Sequence, residues 1–289
     1  MVVDLRADDW AIGPAPHLGD TYVTCALAEG FLARHGGTRV RVIVPPRLWS
    51  VLALFPDAAI EPLDPSELGT PFRETRGFRP GEPFHLRPLR FASDFEATYG
   101  GQTIPFTRTY HDLLELPFPA FSRPRVPASA HDAAARRLND LGLPHGRTAI
   151  IVPTSYSAAA FSASFWADLA AALAARGWTV AANVGIHEAG RSIPGTRALP
   201  CPAEELIPIA EMAGLVVASR CGVCELISSA HTDLRILYHR PQYDWSPLAG
   251  VKLQVDLGAC GLEDNAAYYR MGASEPRADF IARIVEGRP

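Results

Sequence analysis

The sequence predicts an α/β protein made of two lobes, each a parallel sheet with helices on both faces. Three observations carry this. Short β-branched runs alternate with longer helix-like stretches along most of the 289 residues, the pattern of parallel strands joined by crossover helices. The alternation lapses over residues 64–127, which are rich in Pro, Gly, Phe and Arg. It restarts after Pro117, Pro119, Pro124 and Pro127, prolines that make a stiff, extended connection. These features predict lobes at 1–127 and 128–273, and a C-terminal helix at 274–289 able to pack back on the first lobe.

Taken in order, Trp10–Gly13 reads as a short strand and Pro14–Gly19 as a loop. Asp20 stands where a helix N-cap belongs, since a carboxylate accepts the free amide hydrogens of a first turn. Val23, Leu27, Ala28 and Phe31 follow at helical spacing, and Gly36-Gly37 ends that helix. Arg39–Val44 alternates and is β-branched, so it predicts a strand. A helix running to about Phe55 and a strand at Ala58–Pro62 follow. Phe84–Phe91 predicts a strand and Thr109–Leu116 a short helix.

The second half is more regular. Ser129–Leu141 predicts a helix, Thr148–Val152 a strand, Ser164–Arg176 a helix closed by Gly177, and Thr179–Asn183 a strand. Pro202 precedes a helix over Ala203–Ala213 and Leu215–Ser219 reads as a strand. A helix then starts at Gly222 and runs through Ala230. Leu234–Tyr238 reads as a strand and Glu275–Val285 as the last helix.

Composition narrows the function. The chain is 48% hydrophobic and 20% charged, enough apolar matter for real cores. A net charge of -4 and a pI near 6.1 argue against a nucleic-acid partner, since polyanion binders carry a basic excess. The opening MVVDLRADDW lacks a basic, then apolar, secretory pattern. No apolar run reaches the roughly 18 residues that would predict a transmembrane segment. Five scattered cysteines, Cys25, Cys201, Cys221, Cys224 and Cys260, do not make a disulfide framework. Together these predict a cytoplasmic protein with reduced, buried thiols.

In open α/β sheets, ligands sit beyond the carboxyl ends of the strands. Three such corners carry polar chemistry. The first is Gly13–Thr21, where His17, Gly19 and Thr21 surround Asp20. Asp20 is either a cap or a general base able to take a proton from a hydroxyl. The second is Pro153–Ser157, where Thr154, Ser155 and their amides suit a diphosphate. The third is Ser219–Glu225. Arg220 there suits phosphate oxygens, Gly222 opens a helix, and Glu225 suits sugar hydroxyls. The plain alternative is a surface ion pair between Arg220 and Glu225. Cys221 and Cys224 supply only two of the four ligands a structural zinc needs, and their surroundings do not predict redox chemistry. No metal and no cofactor are expected. No P-loop and no GxGxxG after the first strand occur.

These segments together resemble the family-9 glycosyltransferases, which include bacterial ADP-heptose:lipopolysaccharide heptosyltransferases. Leu18-Gly19-Asp20-Thr21, with its helix and RVRVIVP, resembles the family's opening LGD loop, helix and strand. Ala149–Ser155 followed by Ser164-Phe165-Trp166 resembles the start of its donor lobe. Pro202–Leu206, Ala213–Ser219 and Arg220–Glu225 resemble the elements around its donor-site glycine turn. The resemblance implies the GT-B fold: two Rossmann-like doubly wound lobes facing a central cleft. It implies a metal-independent transferase that takes a nucleotide-sugar donor and a glycan or other hydroxyl acceptor. It makes Asp20 the catalytic base. Thr154, Ser155, Arg220, Gly222 and Glu225 become the donor side, and His17, Gly19 and Thr21 the acceptor-side loop. Inverting transfer of a hexose or heptose is the leading expectation. Two family features are missing: a cation within Ala158–Ser164 and the DTGxxH turn. The missing cation motivates the alternative of a non-catalytic module binding a nucleotide-sugar or protein; a sugar-nucleotide epimerase on the same fold is another alternative. A cysteine-bound iron or zinc protein is a further one.

Overall fold

The computed structural model describes residues 5–73, 77–155, 161–183, 193–239, 250–263 and 265–289. Tyr156, Ser157, residues 158–160 and His187 lie outside the described residues. The chain divides into two compact units, one of residues 1–125 with 243–262, the other of 126–242 with 263–289.

The first unit is a parallel sheet of β1 (Asp9–Pro14), β2 (Arg39–Ile43), β3 (Ile60–Leu63) and β4 (Pro83–Leu86), in the order β3-β2-β1-β4. Helix α1 (Leu18–His35) follows β1 and ends at Gly36, whose φ of 75° favours glycine. Its Phe31 meets Trp10 edge to face with centroids 5.0 Å apart. At the amino edge, buried Asp9 takes Arg39 at 2.6 Å and Arg41 at 3.3 Å. The pairing holds this carboxyl below its ordinary range despite the opposing effect of burial.

Two expectations here were too long. The helix after β2 is a 3-10 turn plus α2 (Trp49–Leu52). The strand expected to reach Phe91 stops at Leu86, because Pro88 opens a 3-10 turn. The irregular stretch also holds α3 (Ala92–Tyr99), β5 (Thr103–Pro105) and α4 (Arg108–Leu113).

The second unit opens with α5 (Ala128–Asp140), then β6 (Thr148–Val152), α6 (Ala163–Ala175), β7 (Thr179–Asn183) and β8 (Arg197–Leu199). α7 (Ala203–Ala213), β9 (Gly214–Ser219), α8 (Gly222–Leu226) and β10 (Asp233–Tyr238) follow. α8 is shorter than expected and passes into a 3-10 turn at Ile227–Ser229.

The chain then departs from the expected continuous second lobe. Strand β11 (Lys252–Gln254) pairs in parallel with β5 and so belongs to the first unit. Val251 and Leu253 close a small core there with Phe95 and Ile104. The chain re-enters the second unit as β12 (Ala266–Arg270) and α9 (Arg277–Glu286).

The second sheet runs β8-β7-β6-β9-β10-β12, all parallel. Counted within the unit, this is the order of a complete doubly wound sheet. The terminal helix belongs to the second unit. Phe280, Ile281 and Ile284 of α9 bury against Phe165, Trp166 and Leu169 of α6. Arg235 of β10 also donates to the end carbonyls of α9, reaching Val285 O at 3.2 Å, which satisfies acceptors a helix end leaves open.

Candidate functional site

A doubly wound sheet changes direction at one place, and the loops leaving the two central strands part there to leave a crevice. In the first unit that switch lies between β1 and β4; in the second, between β6 and β9. The predicted corners after β1, β6 and β9 are therefore the loops at the two switch points.

At the first corner, α1 begins at Leu18, and His17, not Asp20, is its N-cap. The reason is local. His17 is extended at φ -119° and ψ 155°, and its carbonyl accepts both the Thr21 amide at 3.0 Å and the Thr21 hydroxyl at 2.9 Å. Asp20 thus lies within the first turn. The buried Tyr110, on α4, donates its hydroxyl to Asp20 Oδ1. Sequence reasoning missed Tyr110 because it stands 90 positions away in the irregular stretch.

The Thr21 hydroxyl is buried and spent on its own helix. Gly19 is buried in the first turn, and His17 is exposed. Gly13 does not hold space for a ligand: a Cβ there would lie 2.3 Å from the Phe72 ring, which stacks on His85 at 3.9 Å. Arg47 Nη2 donates to Pro16 O at 3.2 Å, bracing the loop from the end of β2. Beside it, Trp49 is the one large hydrophobic residue exposed among those described, its indole nitrogen fixed to Val44 O at 3.0 Å.

α4 is anchored through His111. Its Nε2 accepts the Ala120 amide at 3.2 Å, so the ring proton is on Nδ1, which donates to Thr107 O at 2.9 Å. Burial holds this imidazole below its ordinary range.

The second unit brings its two corners together. The Ser155 hydroxyl donates to Arg220 O at 2.7 Å, joining the loop after β6 to the turn after β9. Thr154 is half-buried beside it, and Gly222 is the first residue of α8. Arg220 and Glu225 do form an ion pair, but a buried one: Nη2 to Oε1 is 2.7 Å, with 7% of each side chain exposed. Arg220 Nη1 also donates to Cys221 O at 3.1 Å. Two of its donors are thus engaged inside the turn. Glu225 Oε2 and the Ser219 hydroxyl are buried with no partner among the described residues. A buried acceptor left open costs roughly 1–3 kcal/mol, so these atoms are suited to a ligand's hydroxyls.

No group of three or more metal-ligating side chains occurs among the described residues. No described helix is long and apolar enough to cross a membrane. An open groove of about 630 Å³ lies between α6 and α9, lined by Asp168, Ala172, Arg176, Arg277, Ile281 and Val285. It holds none of the predicted site residues.

Two parallel doubly wound units, with polar corners at both switch points, define a protein of GT-B architecture. Solved structures that share this fold include heptosyltransferases and a family-9 glycosyltransferase. The chain is similar to ADP-heptose lipopolysaccharide heptosyltransferase II of E. coli, with a TM-score of 0.62 at 15% identity over 96% of each chain. It is similar to a family-9 glycosyltransferase from Veillonella parvula, with a TM-score of 0.56 at 12% identity over 98% of this chain and 92% of that one. The E. coli heptosyltransferase WaaC with ADP gives 0.51 at 13% identity over 97% and 100%. At such identities the likeness is one of fold. No family model matches the chain, and no curated protein matches it by sequence.

Proposed function

We propose that the protein is an inverting, metal-independent glycosyltransferase using a nucleotide-sugar donor and a hydroxyl acceptor. The observation that carries this reading is the Asp20 carboxylate. It stands in the first helical turn after the switch-point strand of the first sheet, aimed by the buried Tyr110 hydroxyl.

In this reading Asp20 takes the proton from the acceptor hydroxyl as that oxygen attacks the anomeric carbon of the donor. Tyr110 is a positioning residue that fixes the carboxylate's rotamer. The second unit binds the donor. Glu225 Oε2 and Ser219 Oγ accept or exchange hydrogen bonds with donor hydroxyls, while Thr154 and the amides around Gly222 face the diphosphate. Arg220 holds Glu225 in place instead of touching phosphate. The transferred sugar, hexose or heptose, is set by contacts in the second unit.

The test is a transfer assay beside donor titration calorimetry. Asp20→Asn is expected to lower transfer by about 100-fold or more, the usual scale for a lost general base, with donor affinity unchanged. Tyr110→Phe should lower kcat while sparing KM for the donor. Full transfer by Asp20→Asn refutes the role. One observation favours a second reading: the Arg220 fork is occupied within its own turn. A non-catalytic nucleotide-sugar-binding module would give donor binding without turnover in the wild-type protein.

A further inference from the structure

The turn after β9 carries a pair of thiols that the transfer chemistry does not use. Cys221 is the N-cap of α8, extended at φ -158° and ψ 174°, and Cys224 lies in the first turn. The Cys224 amide donates to Cys221 O at 2.8 Å, closing a tight turn. Residues at the two ends of such a turn lie under about 7 Å apart at Cα. That is the range, roughly 4.4–6.8 Å, that a disulfide spans. The two thiols are close enough to shift each other's proton affinity. Both are free.

We propose that Cys221 and Cys224 are a redox-active dithiol that closes reversibly to a disulfide by exchange with a low-molecular-weight disulfide. This inference does not rest on the transferase reading.

The geometry assigns the order of events. Cys221 keeps 8% of its surface exposed and Cys224 none, so the oxidant meets Cys221 first. The neighbouring Cys224 thiol also holds Cys221 below its ordinary range, while Cys221 and burial together raise Cys224 well above its own. The attacking species is the thiolate. The Cys221 thiolate attacks one sulfur of the small disulfide and expels a small thiolate, which takes up a proton. The Cys224 thiol, shut off from solvent, then gives its proton to the departing small sulfur as it reacts. Its sulfur attacks the Cys221 sulfur of the mixed disulfide and expels the second small thiol. Two protein S–H groups become one S–S bond, and one small disulfide becomes two thiols. Before closure Cys224 Sγ donates to Ser219 O at 3.5 Å; afterwards that donor is gone.

The experiment incubates the reduced, native full chain with oxidised glutathione and maps thiols by mass spectrometry. Two of the five cysteines are expected to disappear as a peptide two hydrogens lighter, spanning Cys221 and Cys224, and to return with dithiothreitol. Cys224→Ser should stop at one glutathione on Cys221, and Cys221→Ser should show neither product. The same mapping after unfolding in urea, where all five thiols react, shows that the reagent is competent. Five intact thiols in the native wild type overturn the proposal. So does glutathione placed on Cys224, Cys25, Cys201 or Cys260 in place of Cys221.

Discussion

At the residue scale, the donor corner shows how a buried charge is kept. Arg220 and Glu225 are each 7% exposed, so either one alone would be an uncompensated charge in a poorly solvating place. Arg220→Ala and Glu225→Ala should therefore each cost about 3 kcal/mol, the scale of a broken buried pair. The double variant should cost clearly less than the two together, because it leaves no orphan charge. Urea unfolding of the three variants measures this, and additive losses would mean that the two side chains do not depend on one another. The sequence made the pair legible but not its burial. Arg-x4-Glu reads the same on a surface, and only the sheet built around β9 and β10 removes it from water.

At the scale of elements, α4 connects a titrating group to the proposed base. His111 anchors that helix as a neutral ring, and burial depresses its proton affinity. The unfolded chain has an ordinary imidazole, with a pKa of about 6.5, and so binds more protons than the folded state below that pH. Its penalty is absent well above about 6.5 and grows as pH falls toward the folded-state value. The stability gap between wild type and His111→Gln, which cannot titrate, should therefore shrink from about pH 7.5 to about pH 5.5. Thermal unfolding across that range checks it; a constant gap would mean His111 is not held neutral.

Elements of this kind were unevenly legible. The helix over Ala203–Ala213 and the strands Thr148–Val152 and Thr179–Asn183 stand where the sequence puts them, because each has an apolar pattern set off by its flanking residues. The start of α1 was misplaced, since an Asp three residues inside a helix looks like a cap, while His17 caps through backbone geometry alone. β8 and β11, three residues each, carry too few side chains for any periodicity to show.

At the scale of the molecule, the feature least legible in the sequence is the return of residues 250–262 to the first unit. Nothing local marks it, because the partners lie far back in the chain. Thr107 donates its hydroxyl to Cys260 O at 2.6 Å across 153 positions, and Lys252 pairs with Thr103 in the β5–β11 ladder. Gly261 sits where this return meets the proline connection. Its φ is +78°, and a Cβ on it would lie 2.4 Å from Pro119 Cβ. Gly261→Ala thus combines a left-handed backbone, costing about 1–2 kcal/mol for a residue with a Cβ, with a clash against a rigid ring. A loss of about 2–3 kcal/mol is expected. The damage should be confined by unit, not by sequence distance. Amide hydrogen exchange should quicken in Thr103–Pro105 and Arg108–Leu113, while β6, β9 and β10 keep their protection. Faster exchange in those three strands, with the first unit unchanged, would place residues 250–262 in the second unit and undo the division of the chain.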